Sequence, residues 1–287
     1  MNRLPINKTP KVYVGGAFIR SESGRVFPLK TADGRFVAHV PQCTRKDLRN
    51  AVEAAAKAGP GWARRTPYNR AQILYRLAEM IEPRAAELAE AIALGGATDE
   101  VRREVAAAID RIVYYAGWAD KYEQVLGNVN PVAAPYFNFS VTEPMGIVGA
   151  IAPAAPSLLG LVSLIAPVIV SGNTVVALAS EVSPYPAVVL GEMLATSDLP
   201  GGVVNLLTGF RAEMLSTFST HAHLRGLSAV VSPEERKQLE LGAAESVKRC
   251  HIQTEDAGFD WYSASTESVY AIRDFLEVKT VWHPIGA

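Results

Sequence analysis

The chain has 287 residues, 49% hydrophobic and 20% charged, which excludes a disordered polymer and leaves room for one large or two small domains. Its 28 basic and 29 acidic side chains leave a net charge of −1, so the balance points to neither nucleic acid nor an anionic membrane as a partner. Two cysteines, Cys43 and Cys250, make no disulfide framework, and Met1–Lys8 has no apolar signal core, so a cytoplasmic location is expected.

Lys11–Arg20 alternates around Gly15-Gly16 and predicts a β-hairpin. Ser21–Val40 predicts further extended structure, with turns at Ser23-Gly24 and Asp33-Gly34. Thr44-Arg-Lys-Asp resembles a capping box, and Leu48, Val52 and Ala55 follow at helical spacing until Gly59-Pro60-Gly61 should end the helix. Pro67–Leu94 is helical in period, with Pro83 expected to split it and Gly95-Gly96 to stop it. Thr98 should start another helix running through Trp118 and Tyr122 to about Leu126. Asn128–Ser140, with Pro131 and Pro135, is expected to be a linker into an extended Tyr136–Thr142.

From Pro144 to Ser180 there is no charged side chain. A membrane span is rejected, because Pro153, Pro156, Pro167 and four glycines interrupt the run. Instead it divides into a strand at Gly146–Ala152, a helix at Ser157–Ser171 that is apolar nearly all round and must be buried, and a strand at Thr174–Ala179. The alternation continues with helix Ala187–Thr196, strand Val203–Leu207, helix 211–220, strand 224–231, helix 233–246 and strand 248–254. This predicts an α/β, doubly wound, Rossmann-type domain. Gly258–Ser265 should be a loop, Thr266–Asp274 a short helix and Phe275–His283 a strand.

Four motifs then carry a family resemblance: Glu143-Pro-Met-Gly-Ile-Val-Gly-Ala-Ile-Ala-Pro, Gly172-Asn-Thr-Val-Val, Ser180-Glu-Val-Ser-Pro and Leu199-Pro-Gly-Gly-Val-Val-Asn. In order and spacing they resemble the aldehyde dehydrogenase superfamily, from Tyr13-Val-Gly-Gly to Val278-Lys-Thr-Val-Trp. The resemblance implies a dinucleotide-binding-like domain over residues 1–125 and 145–258. It implies a bridging and oligomerisation segment over 126–144 and 259–287, ending in a C-terminal arm. It also implies a missing catalytic domain, because few residues separate the last strand from the arm.

The family's chemistry needs a thiolate nucleophile, oxyanion donors, a carboxylate base and a nicotinamide cofactor. Cys250 falls inside the last predicted strand and is expected to be a small buried core residue. Cys43 precedes a helix N-terminus, which lowers a thiol pKa, but is far from any family active-site position. The oxyanion Asn aligns with Ala155 of Pro153-Ala-Ala-Pro-Ser. The base aligns with Gln253, and the nearby Glu255 and Asp256 are expected in a solvated loop. No catalytic residue is therefore expected. The adenosine-ribose Lys aligns with Leu178, and the pyrophosphate-binding Gly-Ser-Thr with Val231-Ser232-Pro233. Ser180, Glu181 and Ser232 remain as candidate cofactor-site remnants. Their plain structural readings are a helix-start carboxylate for Glu181 and an N-cap for Ser232. We expect no bound cofactor, NAD being the family's own. His221 and His223, two residues apart, do not share a helix face, and no metal site is expected.

The expected function is that of a non-catalytic subunit, assembling with itself or with a full-length aldehyde dehydrogenase through the arm. NAD-dependent aldehyde oxidation, retained or completed by a partner, is the alternative. A small-molecule or nucleotide sensor is the third reading.

Overall fold

The computed structural model describes residues 8–31, 33–96, 100–255 and 258–286. Thr98, Asp256 and the first seven residues, on which expectations fell above, lie outside them. The chain opens with the hairpin β1 (Val12–Val14) and β2 (Ala17–Ile19), then the hairpin β3 (Val26–Lys30) and β4 (Phe36–Pro41). Gly15 and Gly16 turn the first hairpin with φ of 63° and 85°, a conformation that a two-residue loop requires and a side chain opposes.

Five helices follow: α1 (Arg45–Ala63), α2 (Pro67–Ile81), α3 (Ala85–Ala93), α4 (Val101–Trp118) and α5 (Tyr122–Leu126). Thr44 caps α1, and Asp47 accepts its amide at 2.7 Å. The helix does not end at Gly59-Pro60-Gly61; it runs through Pro60 to Ala63. The extra turn buries Trp62 completely and lets its Nε1 donate to the Ile169 carbonyl at 2.8 Å, which outweighs the local cost of proline. Pro83 splits α2 from α3 through a single 3-10 turn. The helix expected to reach Leu126 breaks after Trp118, and α5 is separate.

The expected linker contains a strand, β5 (Asn128–Asn130), before β6 (Tyr136–Pro144). The second half runs β7 (Ile147–Ile151), α6 (Ser157–Val170), β8 (Thr174–Leu178), α7 (Tyr185–Leu194), β9 (Val204–Leu207), α8 (Arg211–Thr220), β10 (Leu224–Val231), α9 (Pro233–Ala244) and β11 (Arg249–Thr254). It closes with α10 (Val269–Arg273) and β12 (Leu276–Pro284).

The seven-stranded sheet has the order β11-β10-β7-β8-β9-β1-β2. Its first five strands are parallel, and the β1–β2 hairpin adds antiparallel to β9 through Tyr13 opposite Leu206. Strand periodicity sends alternate side chains into two cores. Val148, Ala150, Val175 and Ala177 face α2, α4, α6 and α7, whereas Ile151, Val176, Leu178 and Val231 face α1, α8 and α9. This is the doubly wound α/β architecture.

Helix α6 is apolar on all sides because it lies between the sheet and the outer helices α2 and α4. Its ends are satisfied by side chains from elsewhere. Glu104 Oε1 accepts from the amides of Leu158 at 2.7 Å and Leu159 at 3.2 Å, while Arg70 Nε donates to Val170 O at 2.8 Å. Among the described residues no helix is long and apolar enough to cross a membrane. A second sheet, β12-β6-β5, stands apart from the first.

Candidate functional site

In an open parallel sheet, ligands bind beyond the carboxyl ends of the strands where the strand order reverses. Here that point lies between β7 and β10, and a cleft of about 260 Å³ opens there, lined by Ala154, Ala155, Gln253, Glu255, Phe259 and Trp261 among others. Its base is held by one guanidinium. Arg211, the first residue of α8, sends Nη2 to the carbonyls of Ala152 at 2.6 Å and Val230 at 3.4 Å, the carboxyl ends of β7 and β10. The same nitrogen meets Glu255 Oε1 at 2.9 Å, and Nη1 meets Glu235 Oε2 at 3.2 Å. The side chain is only 9% exposed, and its Nε is buried without a hydrogen-bond partner among the described residues.

The candidate residues gather around this cation. Ser232 is the N-cap of α9: its hydroxyl accepts from Glu235 N at 3.2 Å, and its own amide donates to Glu235 Oε2 at 2.9 Å. Pro233 at the first helical position brings no amide hydrogen. Glu181 does not start the helix that follows it in sequence; its Oε2 accepts from the Arg211 amide at 2.9 Å and so caps α8 instead. Ser180 Oγ donates to Ala154 O at 2.8 Å and accepts from Ser183 N at 3.1 Å. Glu255, expected in a solvated loop, is tied on both sides, since it also accepts from Ala154 N at 3.1 Å.

Neither thiol lines the cleft. Cys43 is fully buried, and burial pushes its thiol up to about 12, outweighing any help from the neighbouring helix end. Cys250 is not the buried core residue expected. It is exposed, because β11 is the outermost strand of its sheet, and partial burial together with Glu240 raises its thiol above the ordinary value. The His221 and His223 rings lie tilted at 54° with centroids 5.9 Å apart, and among the described residues no group of three or more His, Cys, Asp or Glu side chains is placed to hold a metal ion.

Comparison with known proteins places this geometry. The aldehyde dehydrogenase family model matches residues 18–255. The chain belongs to the aldehyde dehydrogenase family. It is 33% identical over 254 residues to retinal dehydrogenase 2 of Mus musculus, covering 86% of this chain and 48% of the relative. It is 30% identical over 251 residues to the putative aldehyde dehydrogenase DhaS of Bacillus subtilis, covering 85% and 50%. Among solved structures, the NAD+ complex of aldehyde dehydrogenase from Bacillus cereus superposes with a TM-score of 0.82 at 26% identity, over 86% of this chain and 51% of that one. The chain thus spans about half the length of the relatives it matches.

The fold brings Ala155 and Gln253, expected above at the family's oxyanion and base positions, to the same cleft. The methyl group of Ala155 offers no hydrogen bond, and the Gln253 amide is no base. Leu178, expected above at the adenosine-ribose position, is fully buried. A pyrophosphate at the start of α9 would meet the Glu235 carboxylate and Pro233, which brings no amide hydrogen, an arrangement that opposes an anion there. The sequence reading missed Arg211. A signal was available, since a cation at the first position of a helix opposes the helix dipole and needs acidic neighbours.

Proposed function

We propose that this chain works as a non-catalytic aldehyde-dehydrogenase-like subunit, a structural or regulatory partner in an oligomer, without a nicotinamide cofactor of its own. The observation that carries this reading is the Arg211–Glu235–Glu255 cluster at the strand-order reversal. It ties the carboxyl ends of β7 and β10 together beside the cleft and engages Glu255 of the cleft lining in the protein's own charge pairing. The reading is also supported by the absence of both thiols from the cleft lining.

The oligomeric part rests on the β12-β6-β5 sheet. Val129, Phe137, Val141 and Val281 lie on one face of it, each at least 39% exposed, and β12 leaves its outer edge unpaired among the described residues. The proposed partner is a second copy or a complete aldehyde dehydrogenase that offers a strand edge to the arm.

Two measurements test the proposal. Affinity purification from the native cell, followed by mass measurement of the intact complex, should recover an oligomer. Recovery of a free monomer alone would count against a partner role. Calorimetric titration of the purified chain with NAD should give no heat, and aldehyde-dependent NADH formation by the chain would overturn the proposal outright.

A further inference from the structure

At the opposite, amino ends of the strands lies a second cleft, of about 590 Å³, lined by Met145, Arg225, Ser246, Val247, Lys248, Arg249 and Glu277. Three of its side chains are cationic and one is anionic. Arg249 is engaged, donating to the Leu276 carbonyl and to Glu277 Oε1 at 3.2 Å. Among the described residues neither of the other two cations makes an ion pair, although the Glu245 carboxylate acts on Lys248 from a distance. Lys248 is 8% exposed as a residue, yet its ammonium donates only to the neutral Ser246 hydroxyl. Arg225 has no hydrogen-bond or ion-pair partner among the described residues.

The backbone departs from regularity on both sides to bring these cations together. Gly226 pairs with Val148 and Leu224 with Ile147, so Arg225 is the extra residue of a β-bulge in β10. A bulge re-aims the side chain it carries. Gly226 also pairs with Arg249, and Arg225 and Lys248, each one residue earlier in its chain segment, both line the cleft. Val247 holds Lys248 from the left-handed region, with φ of 51°. Burial first, and the Arg225 charge with it, lower the Lys248 pKa, against a partial opposing influence of Cys250 and Glu245.

We propose that this cleft is a binding site for a phosphate-class oxyanion, held by Arg225, Lys248 and the Ser246 hydroxyl. Arg225 supplies a planar fork and Lys248 a point charge, the pairing that phosphate recognition uses. The site is independent of the first cleft and of the function proposed above. Its Glu277 is already paired with Arg249 and leaves a net positive lining.

The experiment is calorimetric titration of the full chain at low ionic strength with inorganic phosphate, and separately with glycerol phosphate. Each should give saturable heat, and tighter binding of the ester would identify a phosphorylated metabolite as the ligand rather than the free ion. Arg225→Ala and Lys248→Met should each weaken binding by about tenfold, the loss of one charge-assisted hydrogen bond. Lys279→Ala, on the arm, should leave it unchanged. Arg225 is exposed, so its variant folds and decides the matter if the Lys248 variant does not. No heat with the unaltered chain, or undiminished affinity in Arg225→Ala, would overturn the site.

Discussion

A guanidinium at the first position of a helix runs against the helix dipole, so Arg211 must be stabilised by what surrounds it. Two main-chain carbonyls and two carboxylates do this. Arg211→Ala leaves those carboxylates facing each other and both strand ends unpaired. Since Glu235 and Glu255 are partly exposed, the expected loss is about 2 kcal/mol rather than that of a fully buried pair, and the urea unfolding midpoint measures it. The two thiols should separate just as clearly. Brief alkylation of the native chain at neutral pH should modify Cys250 alone, with Cys43 reacting only after denaturation, as peptide mass mapping would show. The Arg211–Glu255 contact escaped the sequence reading because the two residues stand 44 positions apart, and no local pattern joins them. Ser232 was legible because a capping box is contained within four consecutive residues.

Helix ends set the stability at the next scale. Residues 243–248 close α9 with the paired hydrogen bonds Lys248 N to Ala243 O and Val247 N to Ala244 O, a Schellman arrangement whose left-handed position belongs to glycine. Val247 occupies it at φ of 51° with its side chain 91% exposed, so strain is gained and no packing. Val247→Gly should therefore stabilise the chain by about 1 kcal/mol, read from thermal or urea unfolding.

The start of α6 behaves differently. Burial raises the Glu104 carboxyl above its ordinary 4.5, only partly offset by the Leu158 and Leu159 amides. A raised folded value means the folded chain holds its proton longer than the unfolded one. The contribution from this group is then fully present below the unfolded value and is lost as pH rises through the folded value. Unfolding measured from about pH 4 to pH 8 should show a decline that Glu104→Gln removes. Periodicity located α6, β7, β8 and β10 to within a residue or two. It stopped α1 early, because the gain from burying Trp62 comes from a contact 107 positions away.

At the scale of the whole molecule, the two larger of the three sheets divide the work. The doubly wound sheet carries the cleft that Arg211 holds, and the β12-β6-β5 sheet presents apolar surface outward. If that face joins subunits, replacing Phe137 and Val281 with lysine should shift the chain to monomer in light scattering while leaving its circular dichroism unchanged. An unaltered mass would place the contact elsewhere.

Amino-acid order was enough for the alternation of strands and helices, the glycine turn at Gly15-Gly16, the charge-free α6 and the family motifs. Each of these arises from neighbours within a few turns of chain, where geometry follows directly from residue type. Which helix Glu181 caps, which carboxylates meet Arg211 and which cations share a cleft at the strands' amino ends emerged from packing alone. Such contacts join segments distant in sequence, and electrostatic pairing depends on separation in space, which folding sets.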